Sequence, residues 1–546
     1  MSSSIWATLD PFYEPGPYLG RIVANTGFLK ALLALDPFDE YHFFPASQKT
    51  ADYSRHQISK NFPDLLPRIR FFPRTSLVEQ ISKHKYHCFH LSDCINYPAH
   101  LARLRNRYSK SIFPITSITH SLSYSNYAHQ LLKQLWPGWS GKEAIICSSS
   151  CGMQVLENYF AKLKQQYRLD PDFAPPELVH IPLGIEARAM VSQVDRARQK
   201  KELLPGSKIN ILCLGRLSCY SKMDILPILR GLQLAGLHGL DLGHINLVLA
   251  GGVDRKDDTL KKLSMFASNI GLQTMAFANP DHNLKTRLLA ESDIFMSLAD
   301  NPQETFGLTI LEAQAAGLAV IASDYSGYRE LIQNQENGLL IPTLGPDNTE
   351  LIDDLAPLLY DSESHLMLSQ SCAADIHQLA RTITLVISDK KLRQNLGQKA
   401  RQNAIAYDWA EIIPRYISLW DEQNQKKHSP EMPDIPHPAQ TSYAEIFSGF
   451  ATGSWLDSAV SQSRLGKAVY KKKDHPVIYS GMAHLIDPQA IRMILFLSRS
   501  PVKVPILLAR LSAALDMDPS LARIIFAWAL KQGLLQASTP AADPEK

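Results

Sequence analysis

The stretch D-N-P-Q-E-T-F-G-L-T-I-L-E-A-Q-A-A-G-L-A-V-I-A-S-D-Y-S-G, residues 300–327, decides how this chain is read. It opens as a polar loop, passes Gly307, becomes an apolar helix punctuated by Gly317, and ends in a short strand over 319–322. Glu312 stands inside that helix among Leu308, Ile310, Leu311, Ala313, Ala315 and Ala316. An unpaired carboxylate buried there is costly, so its headgroup is expected to reach a cleft or a polar ligand. Glu304 lies in the loop before the helix, whose N-terminus offers free backbone N–H groups and a partial positive charge. An anion can be held at Phe306, Gly307 and Leu308 with one carboxylate on each side. Carboxylates suit sugar and ribose hydroxyls because they accept hydrogen bonds and donate none. The plain structural alternative is a buried α/β helix in which Glu312 is salt-bridged.

At 546 residues the chain exceeds a single core, and two or three domains are expected. Apolar content of 45% and charged content of 20% describe a globular protein rather than a disordered one. A net charge of +3 gives little general attraction to nucleic acid or acidic membranes. The seven cysteines include no Cys-x-x-Cys, which suits a reducing cytoplasm better than a disulfide framework. The N-terminal residues lack the pattern of a signal peptide, and no run of about 18 apolar residues occurs. Peripheral contact with the inner membrane face stays open.

Residues 5–9 read as a first strand, followed by the loop D-P-F-Y-E-P-G-P-Y-L-G-R and an apolar helix over 22–35. Glycine in such a loop lets the backbone approach a phosphate, and Gly16 and Gly20 are available, with Gly20 favoured. Further strands are expected at 41–44, 68–72, 86–91, 111–120 and 144–147. His84, His87 and His90 tempt a metal reading, yet alternation along a strand points His87 and His90 to opposite faces. His120 stands where a strand leaves the sheet, the end at which open α/β sheets bind ligands. In the second half, a buried strand over 209–214 precedes G-R-L-S-C-Y-S-K, which puts Arg216 and Lys222 in the following loop. Two cations beside a strand's carboxyl end can clamp a pyrophosphate as charge develops on it.

Two glutamates eight positions apart around a Phe-Gly resemble the donor-site motif of glycosyltransferase family 4, through Glu304, Phe306, Gly307, Glu312, Ala313, Ala316 and Gly317. The resemblance covers roughly residues 1–424 and is strongest over 209–342. It implies a GT-B fold, two Rossmann-like doubly wound α/β domains facing a cleft. It implies a retaining hexosyltransferase that moves sugar from a nucleoside diphosphate to an acceptor, without a catalytic metal or other cofactor. In that picture Arg216 and Lys222 stabilise the departing diphosphate, Glu304 holds the donor sugar, and Glu312 holds the ribose. His120 touches the sugar from the opposite lobe, and the backbone around Phe277 and Asn279 reads the base. Trp409 matches the family's closing tryptophan. The sequence departs from the pattern at Met223, where glycine usually follows the lysine, and in lacking paired glycines after the first strand.

The expected organisation is a first domain over 1–190 with a closing helix over 404–424, a donor domain over 191–403, a Pro-rich linker and irregular segment over 425–485, and a C-terminal module over 486–538. Three short apolar helices and a final strand give that module a resemblance to a winged helix-turn-helix. Its basic residues are dispersed, which favours docking of a protein or peptide acceptor, or dimerisation, over DNA. Two rivals remain: a nucleotide-sugar epimerase of the same fold, and a nucleotide-sugar-sensing DNA-binding regulator. The sequence names neither the sugar, the base nor the acceptor.

Overall fold

Runs of β-branched and apolar residues such as I-N-L-V-L-A-G, buried along their whole length, build two parallel sheets covered on both faces. The computed structural model describes residues 4–15, 20–200, 202–252, 259–427 and 435–538. Gly16 lies outside the described residues, as does 428–434 of the Pro-rich stretch. The first sheet comprises β1 (Ile5–Thr8), β2 (Glu40–Phe43), β3 (Ile69–Phe71), β4 (Tyr86–Leu91), β5 (Ile115–Ile118), β6 (Glu143–Cys147) and β7 (Glu177–His180). Its spatial order is β3-β2-β1-β4-β5-β6-β7. The second comprises β8 (Ile209–Leu214), β9 (Ile245–Gly251), β10 (Gln273–Ala278), β11 (Ile294–Ser297), β12 (Ala319–Ser323) and β13 (Leu339–Ile341), in the order β10-β9-β8-β11-β12-β13. Strand order reverses between β1 and β4 and between β8 and β11, so each domain opens a crevice at that switch point.

Helix Ala187–Ala197 packs on helices His282–Glu291 and Leu308–Ala315, so it belongs with the second sheet. The chain returns to the first domain through helix Trp409–Gln425, capped by Asp408, whose Oδ1 accepts from the Ala410 amide at 3.0 Å. Trp409 lies flat against two glycines. A Cβ on Gly27 would meet its Nε1 at 2.4 Å, and one on Gly184 its Cδ2 at 2.6 Å.

One expected strand comes out shorter, and one long helical stretch is broken. The strand expected over 111–120 is confined to Ile115–Ile118, because Pro114 has no amide to donate to the ladder. The helical stretch that begins at Ile376 is two helices, Ile376–Ser388 and Lys390–Ile405, because Asp389 turns its side chain to cap the second at Leu392 N, 2.9 Å away.

Residues 439–546 form a separate compact unit. Helices Pro488–Leu497, Val504–Leu515 and Pro519–Lys531 enclose a core that includes Ile491, Ile494, Leu507, Leu511, Ile525 and Phe526. A three-stranded antiparallel sheet adds Val502–Lys503, Ala459–Gln462 and Leu535–Ser538, with Ala459–Gln462 in the middle. That central strand, and helix Arg464–Tyr470, come from the stretch expected to be linker and irregular chain.

Candidate functional site

The loop after β8 and the loop after β11 meet at the second domain's switch point. There Lys222 Nζ contacts Glu304 Oε2, with both side chains nearly buried. Lys222 also stands over the ring of Tyr328, 5.5 Å from its centroid. Burial pushes the Lys222 pKa down, but Glu304 and Tyr328 outweigh it and raise the pKa, so the ammonium stays charged. Arg216 projects from the same loop, with Nη2 donating to Ser221 O at 3.0 Å and Nη1 to Gln303 Oε1 at 3.4 Å.

Phe306 and Gly307 carry the chain from Glu304 into helix Leu308–Ala315. Gly307 has φ +120°, and a Cβ there would press into the Tyr328 ring at 2.7 Å, so conformation and space both demand glycine. Tyr328 is fixed in turn by a 2.8 Å hydrogen bond between its hydroxyl and Ser297 Oγ at the end of β11. No side chain caps this helix among the described residues, and the Phe306 amide just before it donates to Glu304 Oε1 at 3.4 Å. Glu312, one turn further on, is 7% exposed and takes a 2.7 Å hydrogen bond from Lys285 Nζ to Oε1. The salt-bridged alternative for Glu312 is therefore realised, with a lysine the sequence did not point out.

The first domain supplies the opposite wall. His120 follows β5, and its Nε2 lies 2.9 Å from Ser92 O and 3.2 Å from Asn25 Oδ1. Both neighbours are acceptors, so they select the Nε2–H tautomer and leave Nδ1 as an acceptor. Burial and then the nearby Arg21 guanidinium push the His120 pKa down to about 4, so the ring is neutral near pH 7. Ser92 N also donates to Asp10 Oδ2 at 2.7 Å, joining the ends of β1 and β4. Gly20 is the first residue of helix Gly20–Leu35, exposed, and a Cβ there would touch nothing within 4 Å. Among the described residues, none comes close enough to require glycine at this position.

The two walls already touch. Ser121 Oγ donates to Gln303 O at 3.0 Å, Ser149 Oγ to Thr305 O at 2.7 Å, and Thr305 Oγ1 to His120 O at 3.3 Å. Glu330 crosses from the second domain, its Oε1 accepting from Ser150 N at 2.6 Å and its Oε2 lying 3.0 Å from His180 Nε2.

The structure thus gathers Arg216, Lys222, Glu304, Phe306, Gly307 and Leu308 at one switch point and sets His120 against them. Glu312 faces the neighbouring helix. Phe277 lies near the end of β10 and Asn279 directly follows the strand, taking φ +50° while its amide donates to Gly251 O at 2.7 Å. Sequence reading missed Tyr328, Lys285, Gln303 and Glu330. Only Tyr328 carried a local signal, as the bulky residue directly after the Ser326-Gly327 turn. Around the His84–His90 stretch, His90 Nδ1 is bonded to Thr116 Oγ1 at 2.9 Å and His87 Nε2 lies 3.0 Å from Asp421.

Residues 195–373 match the family model described as Glycosyl transferases group 1. The chain is 30% identical over 176 residues to the N,N'-diacetylbacillosaminyl-diphospho-undecaprenol alpha-1,3-N-acetylgalactosaminyltransferase of Campylobacter jejuni, a match covering 32% of this chain and 37% of that protein. It is 25% identical over 289 residues to the D-inositol 3-phosphate glycosyltransferase of Jonesia denitrificans, covering 52% and 59%. The chain therefore spans about half the length, or less, of these curated relatives. Among solved structures, a glycosyltransferase from Rickettsia africae superposes with a TM-score of 0.52 at 16% identity, covering 78% of this chain and all of that one. The Anabaena protein HepE in complex with UDP and glucose gives a TM-score of 0.50 at 14% identity, covering 77% and 100%. The chain has the GT-B fold of two Rossmann-like domains, and its second domain matches the Glycosyl transferases group 1 family.

Proposed function

We propose that this chain is a glycosyltransferase that moves a sugar from a nucleoside diphosphate to an acceptor hydroxyl, with retention at the anomeric carbon. The observation that carries this reading is the Lys222–Glu304 pair, set at the open N-terminus of helix Leu308–Ala315 with Arg216 beside it. A donor enters by exchange. Lys222 leaves Glu304 for the diphosphate, and Glu304 turns to the sugar hydroxyls. Arg216, Lys222 and the free amides after Phe306 then meet the charge that grows on the leaving diphosphate, which is where stabilisation accelerates the step. The bond from the anomeric carbon to the diphosphate oxygen breaks, and the acceptor oxygen bonds to the same face. The acceptor's proton passes to the departing diphosphate. Neutral His120 accepts a sugar hydroxyl through Nδ1 from the facing wall. The charge is met by side chains and amides, so the reading needs no metal and no cofactor.

Glu312 is assigned to the ribose, and the turn at Phe277 and Asn279 to the base. The C-terminal unit is assigned as a winged-helix-like docking module for the acceptor, a protein partner or a second copy. No helix among the described residues is long and apolar enough to cross a membrane. The test is a transfer assay with a panel of nucleoside diphosphate sugars, read by release of free nucleoside diphosphate. Release that rises on adding glycan, lipid or peptide acceptors supports the reading. An isomerised sugar made without acceptor would replace it with the epimerase.

A further inference from the structure

We infer that Lys285 is a positioning residue of the nucleotide site, holding Glu312 so that the ribose is offered one carboxylate oxygen and no net charge. This rests on the donor-site reading above, and it adds a residue which that reading did not contain. Helix His282–Glu291 starts directly behind the turn at Phe277 and Asn279, capped by Asp281, whose Oδ1 accepts from Leu284 N at 2.7 Å. Lys285 therefore leaves the base-facing turn and ends on the ribose-facing carboxylate. Its ammonium is 2.7 Å from Glu312 Oε1, with side-chain exposures of 19% for Lys285 and 9% for Glu312. Oε2 has no hydrogen bond among the described residues, so it is the oxygen left for a ribose hydroxyl.

The physical need is clear from the charges the site must hold together. A nucleoside diphosphate brings its own negative charge close to the ribose, and a bare carboxylate in a half-dry pocket would repel it. Pairing with Lys285 removes that repulsion without giving up an acceptor, and it fixes the rotamer of Glu312 before the ligand arrives. Removing the lysine alone leaves the carboxylate uncompensated, which is worse than removing both partners.

The test is isothermal titration of the full chain with UDP, GDP and ADP, and with the 2′-deoxy counterpart of whichever binds. The unaltered chain is expected to bind one of them and to prefer ribose over deoxyribose. Lys285→Met should weaken binding about tenfold and shrink that preference, and Lys285→Arg should restore both. Lys285→Met combined with Glu312→Gln should bind no worse than Glu312→Gln alone. Thermal unfolding reports whether each variant is folded, and Lys285→Gln serves if Lys285→Met is not. Unchanged affinity in a folded Lys285→Met or Lys285→Gln chain, or losses that simply add in the double variant, would overturn the inference while leaving the donor site standing. No binding of any of the three nucleotides by the unaltered chain would overturn the donor-site reading and this inference with it.

Discussion

Glu330 of the second domain caps the first-domain helix that begins at Ser150, accepting from both the Ser150 amide and its hydroxyl, at 2.6 and 2.7 Å. A carboxylate at a helix N-terminus satisfies free amides and complements the helix dipole. This contact ties the two lobes together beside the loop that carries Glu304. Glu330→Ala is expected to separate them, raising the donor KM severalfold with a smaller change in kcat. Small-angle scattering of the ligand-free chain should show a larger radius of gyration.

Acid should loosen the same contact. Burial opposes the ionised form of Glu330, but bonds from His180 and Ser150 outweigh it and hold its pKa below the ordinary value. A depressed carboxylate stabilises the folded arrangement above its ordinary pKa and loses that contribution as pH falls through the folded one. Scattering from pH 7 to pH 3 should therefore show opening only below the usual carboxylate range. The Glu330→Gln chain should lack that acid-dependent step.

Glu304→Ala is expected to abolish transfer while the protein still unfolds cooperatively. Lys222→Ala should slow transfer by about 10²–10³-fold, the usual cost of losing a donor aimed at developing charge. It should also weaken nucleoside diphosphate binding. Steady-state kinetics with product inhibition separates the two effects. Full activity in both variants would remove the assigned roles.

His120 and His90 predict a loss of stability in acid. Burial holds the His120 pKa down to about 4, and that of His90 to about 3, against ordinary values near 6.5. The unfolded chain takes up these protons first, so stability is complete above about pH 6.5 and falls as pH drops toward 4. Denaturant titrations at pH 7 and pH 5 should show it, and His120→Asn should weaken the dependence.

Asp300 predicts the opposite trend. Burial, and then Asp224 nearby, raise its pKa to about 7, and its Oδ1 has no hydrogen-bond partner among the described residues. The folded state keeps a proton that the unfolded chain releases, so this residue costs stability progressively from about pH 4 to pH 7. Asp300→Asn should raise the melting temperature at pH 8 and leave it nearly unchanged at pH 4. Calorimetry at the two values decides.

What the sequence disclosed and what it hid divide along contact range. Glu304, Phe306, Gly307 and Glu312 were legible because the motif is local, and Arg216 and Lys222 because a buried strand fixes the loop that follows. Lys285 and Glu330 were not, since each acts on a partner far away in the chain. Glu330 looks like any charge on a short helix, and Lys285 like a solvated helical lysine. The middle strand of the C-terminal sheet was hidden for the same reason. Ala459–Gln462 is too short and polar to declare itself until Leu535–Ser538 pairs with it. Pro114 and Asp389 were readable breakers whose local effects trimmed one strand and split one helix.

Both acidic side chains of the 304–312 motif are matched by a lysine from elsewhere in the chain, Lys222 on Glu304 and Lys285 on Glu312. If the proposed donor binds here, a simple anion that drew Lys222 away would leave Glu304 without a counter-charge, which is costly for a half-buried carboxylate. A molecule bearing hydroxyls as well as phosphates would give both residues a new partner, so on the proposed reading the resting ion pairs would favour a nucleotide sugar over simple salts.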